Sequence, residues 1–179
     1  MKTVIITPPA AEPVTLSEAK AQLRIEDAFT LDDDYITALI SAARERCDSY
    51  CNQFFTVQNI SLQFDLAPSG SIYIPYVGLT ITSVTYIDSD NVTQTLAPSD
   101  YFFNPVTQQL EFINVFSGSS VSVQATTSAP ASIYGVQTAI KMILTDLYEL
   151  RTETAVGVSL ADNPAVKAML YPFRKELSV

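Results

Sequence analysis

Pro13-Val-Thr-Leu-Ser-Glu-Ala-Lys-Ala-Gln-Leu-Arg-Ile25 spells out the start of a helix. Thr15 and Glu18 stand three apart, the spacing at which the threonine hydroxyl caps the first turn and the glutamate reaches back to the cap amide. Leu16, Ala19 and Leu23 then recur on one face. A helix of about ten residues is marginal alone in water, so this apolar stripe needs a partner elsewhere in the chain. The preceding residues, 1–14, contain Pro8, Pro9 and Pro13, which fix extended backbone and remove amide donors. They read as an extended arm.

Asp32-Asp33-Asp34 opens a second helix, its carboxylates complementing the positive end of the helix dipole. The run lacks the glycine and distal glutamate of a calcium loop and reads as a capping cluster. Ile36, Leu39, Ile40, Ala43, Cys47 and Tyr50 carry the helical period as far as Cys51. Arg44, Glu45, Arg46 and Asp48 fall among the more polar positions and read as solvated or partner-facing.

From Phe54 the period changes to two. Ile60, Leu62, Phe64 and Leu66 alternate with polar residues until Pro68-Ser69-Gly70, the pattern of a half-buried strand. Leu79 and Ile81 keep one phase and Val84 and Tyr86 the other, which places a bulge near Thr82-Ser83. Asp88-Ser-Asp-Asn91 is a turn, with Val92–Leu96 returning as the hairpin partner. Short strands follow at 100–103, 109–112 and 121–125. About six or seven short strands at roughly ten-residue spacing describe a β-sandwich or small barrel.

Residues 127–135 form a linker by composition. Val136, Ile140, Ile143, Leu144, Leu147 and Tyr148 then share a helical stripe ending near Arg151. Residues 152–162 read as a loop. Asn163 caps a last helix with Pro164 at its first position, and Pro172 stops it. The expected fold class is therefore α+β. Helices from 15–53 and 136–171 form a bundle, with an antiparallel β-sandwich or small barrel inserted over 54–126 and a C-terminal arm over 172–179.

Composition bears on function. Hydrophobic residues make up 47% of the 179 and charged residues 16%, a low charge content that suits a protein hiding its flanks in an assembly. Ten Lys and Arg face 19 Asp and Glu, giving a net charge of −9 with no histidine. Nonspecific nucleic-acid binding needs clustered cations, so this balance argues against a DNA-binding surface. No Lys or Arg occurs between Arg46 and Lys141, an interval that holds Asp65, Asp88, Asp90, Asp100 and Glu111. Such a region near DNA would repel its backbone and let it slide past.

Catalytic signatures are missing from the sequence: without histidine, a glycine-rich phosphate loop or a nucleophile elbow, acyl-transfer and nucleotide sites cannot be built. Asp88 with Asp90, or Asp100 with Glu111, could in principle serve glycoside hydrolysis. With no Trp to form a sugar platform, they read as turn and strand-surface acids. Cys47 and Cys51 read as free thiols, because helical i,i+4 neighbours do not easily meet disulfide geometry and a zinc site needs two more soft ligands. The expectation is a protein that is not an enzyme and binds no cofactor or metal. The segment Val4–Pro9 is too short to span a membrane, and the lack of an export signal implies synthesis in a reducing cytoplasm.

Five tracts, taken in order, resemble the head-tail connector proteins of tailed bacteriophages: VTLSEAKAQLRI (Val14–Ile25), YITALISAARERCDSYCNQFF (Tyr35–Phe55), SVTYIDSDNVTQTLAPSDYFF (Ser83–Phe103), AIKMILTDLYELRTET (Ala139–Thr154) and NPAVKAMLYPFR (Asn163–Arg174). Residues 113–135 depart from the family pattern. The resemblance implies a ring, usually of twelve copies, in the neck of a virion assembled in a bacterial host. It would sit beneath the portal protein and dock a stopper, tail-completion or tail-tube protein, with double-stranded DNA passing through unbound. By that analogy Tyr171, Phe173, Arg174 and Leu177 are candidate portal anchors. Arg44, Arg46 and Arg151 are candidates for the subunit interface, and Asp88 and Asp90 for a lumen- or tail-facing surface. The alternative is a virion-associated carbohydrate- or receptor-binding β-module.

Overall fold

The computed structural model describes residues 1–65, 70–114, 118–150 and 163–175. In chain order the elements are β1 (Lys2–Thr7), α1 (Leu16–Leu23), α2 (Asp33–Cys51), β2 (Asn59–Phe64), β3 (Ser71–Tyr73), β4 (Leu79–Ile87), β5 (Thr93–Thr95), β6 (Tyr101–Asn104), β7 (Gln109–Phe112), β8 (Val121–Thr127), α3 (Tyr134–Leu150) and α4 (Pro164–Leu170). They form two compact units, a β unit of Met1–Ala10 with Thr56–Ala129 and a helical unit of Ala11–Phe55 with the chain from Pro130.

The helical unit starts as its sequence spells it. The Glu18 amide donates to Thr15 Oγ1 at 3.2 Å, and Glu18 Oε2 accepts from the Thr15 amide at 2.9 Å. The Thr15 amide first, then the Thr15 hydroxyl, which also donates to Oε2 at 2.9 Å, hold the Glu18 carboxyl below its ordinary range. Arg24 ends α1 in the left-handed conformation (φ 59°), and Asn52 does the same for α2 (φ 52°). Asp33 and Asp34 lie in the first turn of α2, where the dipole favours them. The Asp32 side chain makes no cap bond. It accepts instead from the Tyr148 hydroxyl of α3.

The stripes read from the sequence meet in one core. Ile36, Ile40, Ala43 and Cys47 of α2 pack with Val136, Ile140, Ile143 and Leu144 of α3, joined by Ala19 of α1 and by Val166 and Leu170 of α4. The short α1 is thus held by a bundle that the C-terminal helices close. Cys47 and Cys51 are buried free thiols, and burial pushes both up to about 12, so neither supplies a thiolate at neutral pH.

The β unit contains two antiparallel sheets, one of five strands in the order β1-β2-β8-β4-β5 and one of three in the order β3-β7-β6. Ile60 pairs with Ala125, Leu62 with Val123 and Phe64 with Val121, so the apolar phase of β2 coincides with that of β8. The register of β4 against β8 shifts between Ile81 and Ser83, at the expected bulge. β4 and β5 pair across the Asp88–Asn91 turn.

Two stretches differ from their sequence reading. Residues 2–7, read as part of an arm, form the edge strand β1, because Val4, Ile5 and Ile6 favour the sheet and the prolines begin only at residue 8. β8 runs one residue into the stretch read as a linker, ending at Thr127. Thr127 is buried, donating from Oγ1 to the Thr56 carbonyl at 2.6 Å and accepting from the Gln58 amide at 2.9 Å. Thr127→Val keeps the shape and orphans that buried amide. Urea unfolding should show a loss of about 1–3 kcal/mol.

Candidate assembly surfaces

The chain after α4 is strapped to the C-terminal end of α2. Pro172 ends the helix in a single 3-10 turn over Tyr171–Phe173. The Phe173 ring meets Phe55 edge-on, 5.9 Å between centroids at 85°. The Arg174 guanidinium lies 5.4 Å from the centre of the Tyr50 ring, a cation-π contact. The Lys175 amide donates to the Cys51 carbonyl at 2.9 Å, and Asn52 Nδ2 donates to the Lys175 carbonyl at 3.1 Å. Gly135, at the start of α3, leaves room for this strap, since a Cβ there would come within 3.2 Å of the Phe173 ring. Among the candidate anchors, Phe173 is part of the bundle packing, Arg174 is exposed, and Tyr171 is 66% exposed beside them. Leu177 lies outside the described residues, as does Arg151.

Arg44 corrects the sequence reading. Its residue is only 2% exposed, so it is neither solvated nor available to a neighbouring subunit. Nε donates to Glu12 Oε2 at 2.8 Å and Nη1 to Asp48 Oδ2 at 2.7 Å. Asp48, also read as a surface residue, is buried and accepts from the Phe55 amide at 3.0 Å through Oδ1. Burial pushes the Asp48 carboxyl up to about 6, against the pull of Arg44 and the Phe55 amide. The hydrophobic period placed Arg44 off the apolar stripe but could not show that Glu12, 32 residues earlier, folds over it. Arg46, two residues on, is exposed.

Lys20 was not singled out by the sequence, and no local pattern marks it. It is 2% exposed, and its ammonium donates to the carbonyls of Asp27 and Phe29, at 2.9 and 2.5 Å, and to Asp33 Oδ1 at 2.9 Å. One buried cation thereby braces the whole connection between α1 and α2.

Asp88 builds a turn. Its carboxylate accepts from Gln94 Nε2 at 2.8 Å and from the amides of Val92 and Asp90, both at 2.9 Å. The Gln94 bond first, then the Val92 amide, hold it below the ordinary carboxylate range. Its contribution to stability is therefore present above the unfolded carboxylate pKa and is lost as pH falls through the lower folded value. Asp90 is exposed at the tip of the same turn. Lys2 is the lone Lys or Arg in the segments of the β unit, against Asp65, Asp88, Asp90, Asp100 and Glu111.

Among the described residues no group of three or more His, Cys, Asp or Glu could hold a metal ion, and no helix is long and apolar enough to cross a membrane. The molecule thus pairs a helical unit, with four helices among the described residues, with a cation-poor β unit and a strapped, aromatic C-terminal segment. Residues 13–76 match the family model described as phage gp6-like head-tail connector protein, a segment that runs from the α1 cap through β3. Over that segment, about a third of its length, the chain is similar to the head-tail connector family.

The fold likeness extends further than that segment. A chain in the neck of an empty GTA particle computed with C6 symmetry superposes with a TM-score of 0.78 at 17% identity, covering 100% of this chain and 98% of that one. A chain of the native GTA neck computed with C12 symmetry gives 0.73, and one from the virion of a native gene transfer agent particle 0.72, at the same identity and coverage. At that identity the likeness is one of fold. No curated protein matches the chain.

Proposed function

We propose that the chain is a structural head-tail connector of a phage-like particle, located in the neck between head and tail. It performs no catalysis. The observation that carries this reading is the family match over residues 13–76, supported by a fold shared along the whole chain with proteins of GTA necks. In the finer reading the chain forms a ring, of twelve copies by analogy with the family, beneath the portal protein. It extends the DNA channel and offers its far side to a stopper, tail-completion or tail-tube protein.

The C-terminal strap supports a portal-facing role for residues 171–175, because it fixes the direction in which the chain leaves the bundle and keeps Tyr171 and Arg174 at the surface. Aromatic and Arg side chains are the types that concentrate binding energy at interfaces. The excess of acid over base in the β unit supports passage of DNA without binding.

Co-sedimentation of the purified chain with its portal protein tests the contact. The complex should form, and Tyr171→Ala, at an exposed position that leaves the fold intact, should weaken it about tenfold. A complex unaffected by both Tyr171→Ala and Arg174→Ala would place the portal contact elsewhere on the chain.

A further inference from the structure

The connection between α1 and α2 is stiff and ends in an exposed apolar tip. Lys20 ties down the carbonyls of Asp27 and Phe29 and the Asp33 carboxylate, and Tyr148 bonds Asp32 at the other end. On this braced loop Leu31 is 85% exposed, with Phe29 and Tyr35 partly exposed beside it and Glu26, Asp27 and Asp34 exposed around them. The fold of the helical unit does not need an apolar side chain at position 31. Burying a Lys to brace a loop that presents one suggests a knob for a docking partner.

A matching socket lies on the same unit. A cavity of about 60 Å³ between α2, α3 and α4 has Ile143, Val166 and Leu170 at its floor, and Arg46 and Lys167 at its rim with Asp146. A water occupies roughly 10–15 Å³ by this measure, so the cavity has space for several waters or for one branched aliphatic side chain. Knob and socket complement each other in charge: acid surrounds the leucine, and two cations against one carboxylate surround the cavity. Arg46 stands twelve residues along α2 from Asp34, about 18 Å at the helical rise, and the exposed Leu31 does not fill its own chain's socket.

We infer that Leu31 of one copy enters the α2/α3/α4 cavity of the next, with Asp34 and its neighbours facing Arg46 and Lys167. This deepens, and rests on, the reading of the chain as a ring-former. The two patches are different surfaces of one chain, so the contact is heterologous, and repetition of it closes a ring or propagates a filament.

Sedimentation velocity over a concentration series, at low and high salt, tests it. Wild type should self-associate, more weakly as salt rises. Leu31→Ser should raise the association midpoint about tenfold or more without changing the thermal unfolding midpoint, and Asp34→Arg and Arg46→Glu should each do likewise. Combining Asp34→Arg with Arg46→Glu in one chain should restore association, because every contact in a heterologous assembly then pairs the reversed charges. Wild type that remains monomeric at all concentrations, or a double variant that is no better than the singles, would overturn the contact. If wild type associates and all these substitutions leave it unchanged, the knob is wrong and the ring reading survives. If the wild-type chain neither self-associates nor adds to portal-bearing particles, the ring reading fails with it.

Discussion

Arg44→Ala is expected to destabilise the helical unit by about 3–5 kcal/mol, the cost typical of breaking a buried ion pair by removing one partner. The guanidinium answers two carboxylates at once, Glu12 at 2.8 Å and Asp48 at 2.7 Å, and without it the buried Asp48 and the part-buried Glu12 lose their shared cation. Asp48 also positions the Phe55 amide where the chain leaves α2, so the loss would reach the end of the bundle that carries the strap. Replacing the set together, as Glu12→Gln, Arg44→Met and Asp48→Asn, should cost much less, since no charge is then stranded. Urea unfolding followed by circular dichroism distinguishes the two. A loss below about 1 kcal/mol for Arg44→Ala would show that water already screens the set as it does a surface pair.

Phe55→Ala should be of similar size, about 3–5 kcal/mol, because the ring is fully buried and its removal adds a cavity to the lost transfer energy. The edge-on contact with Phe173 contributes a further fraction of this, about 0.5–1.5 kcal/mol for an aromatic pair of such geometry. The substitution carries a second signature. Phe173, Arg174 and Lys175 are held by Phe55, Tyr50 and the end of α2, so loss of the ring should also expose the Lys175 amide to exchange. Hydrogen exchange resolved to residues 171–175 measures this. Unchanged protection there would mean that the hydrogen bonds of Lys175 to the Cys51 carbonyl and the Asn52 side chain hold the strap by themselves.

The elements legible in the sequence were those specified by local chemistry. Thr15 and Glu18 fixed the first cap within a four-residue window, Asn163 and Pro164 fixed the last, and the phase change between Ile81 and Val84 marked the bulge before any partner strand was known. What stayed hidden depends on contacts distant in sequence. β8 lies between β2 and β4, and the edge position of β1 depends on pairing with residues almost sixty positions away, neither of which periodicity encodes. The same limit governed the charged residues. Arg44 sits at a polar position of its own helix and is buried by Glu12 from another segment. Lys20 looks like an ordinary helix-surface lysine until the loop folds back over it. Asp88, read in the sequence as the start of a turn, spends its carboxylate on that turn.

The most direct test of the connector reading is to add the purified chain to tailless, portal-bearing capsids of its own particle and image the portal vertex by electron microscopy. A new ring of density below the portal, coaxial with the DNA channel, is expected. A vertex that gains no density, with the added chain folded and in excess, would contradict it.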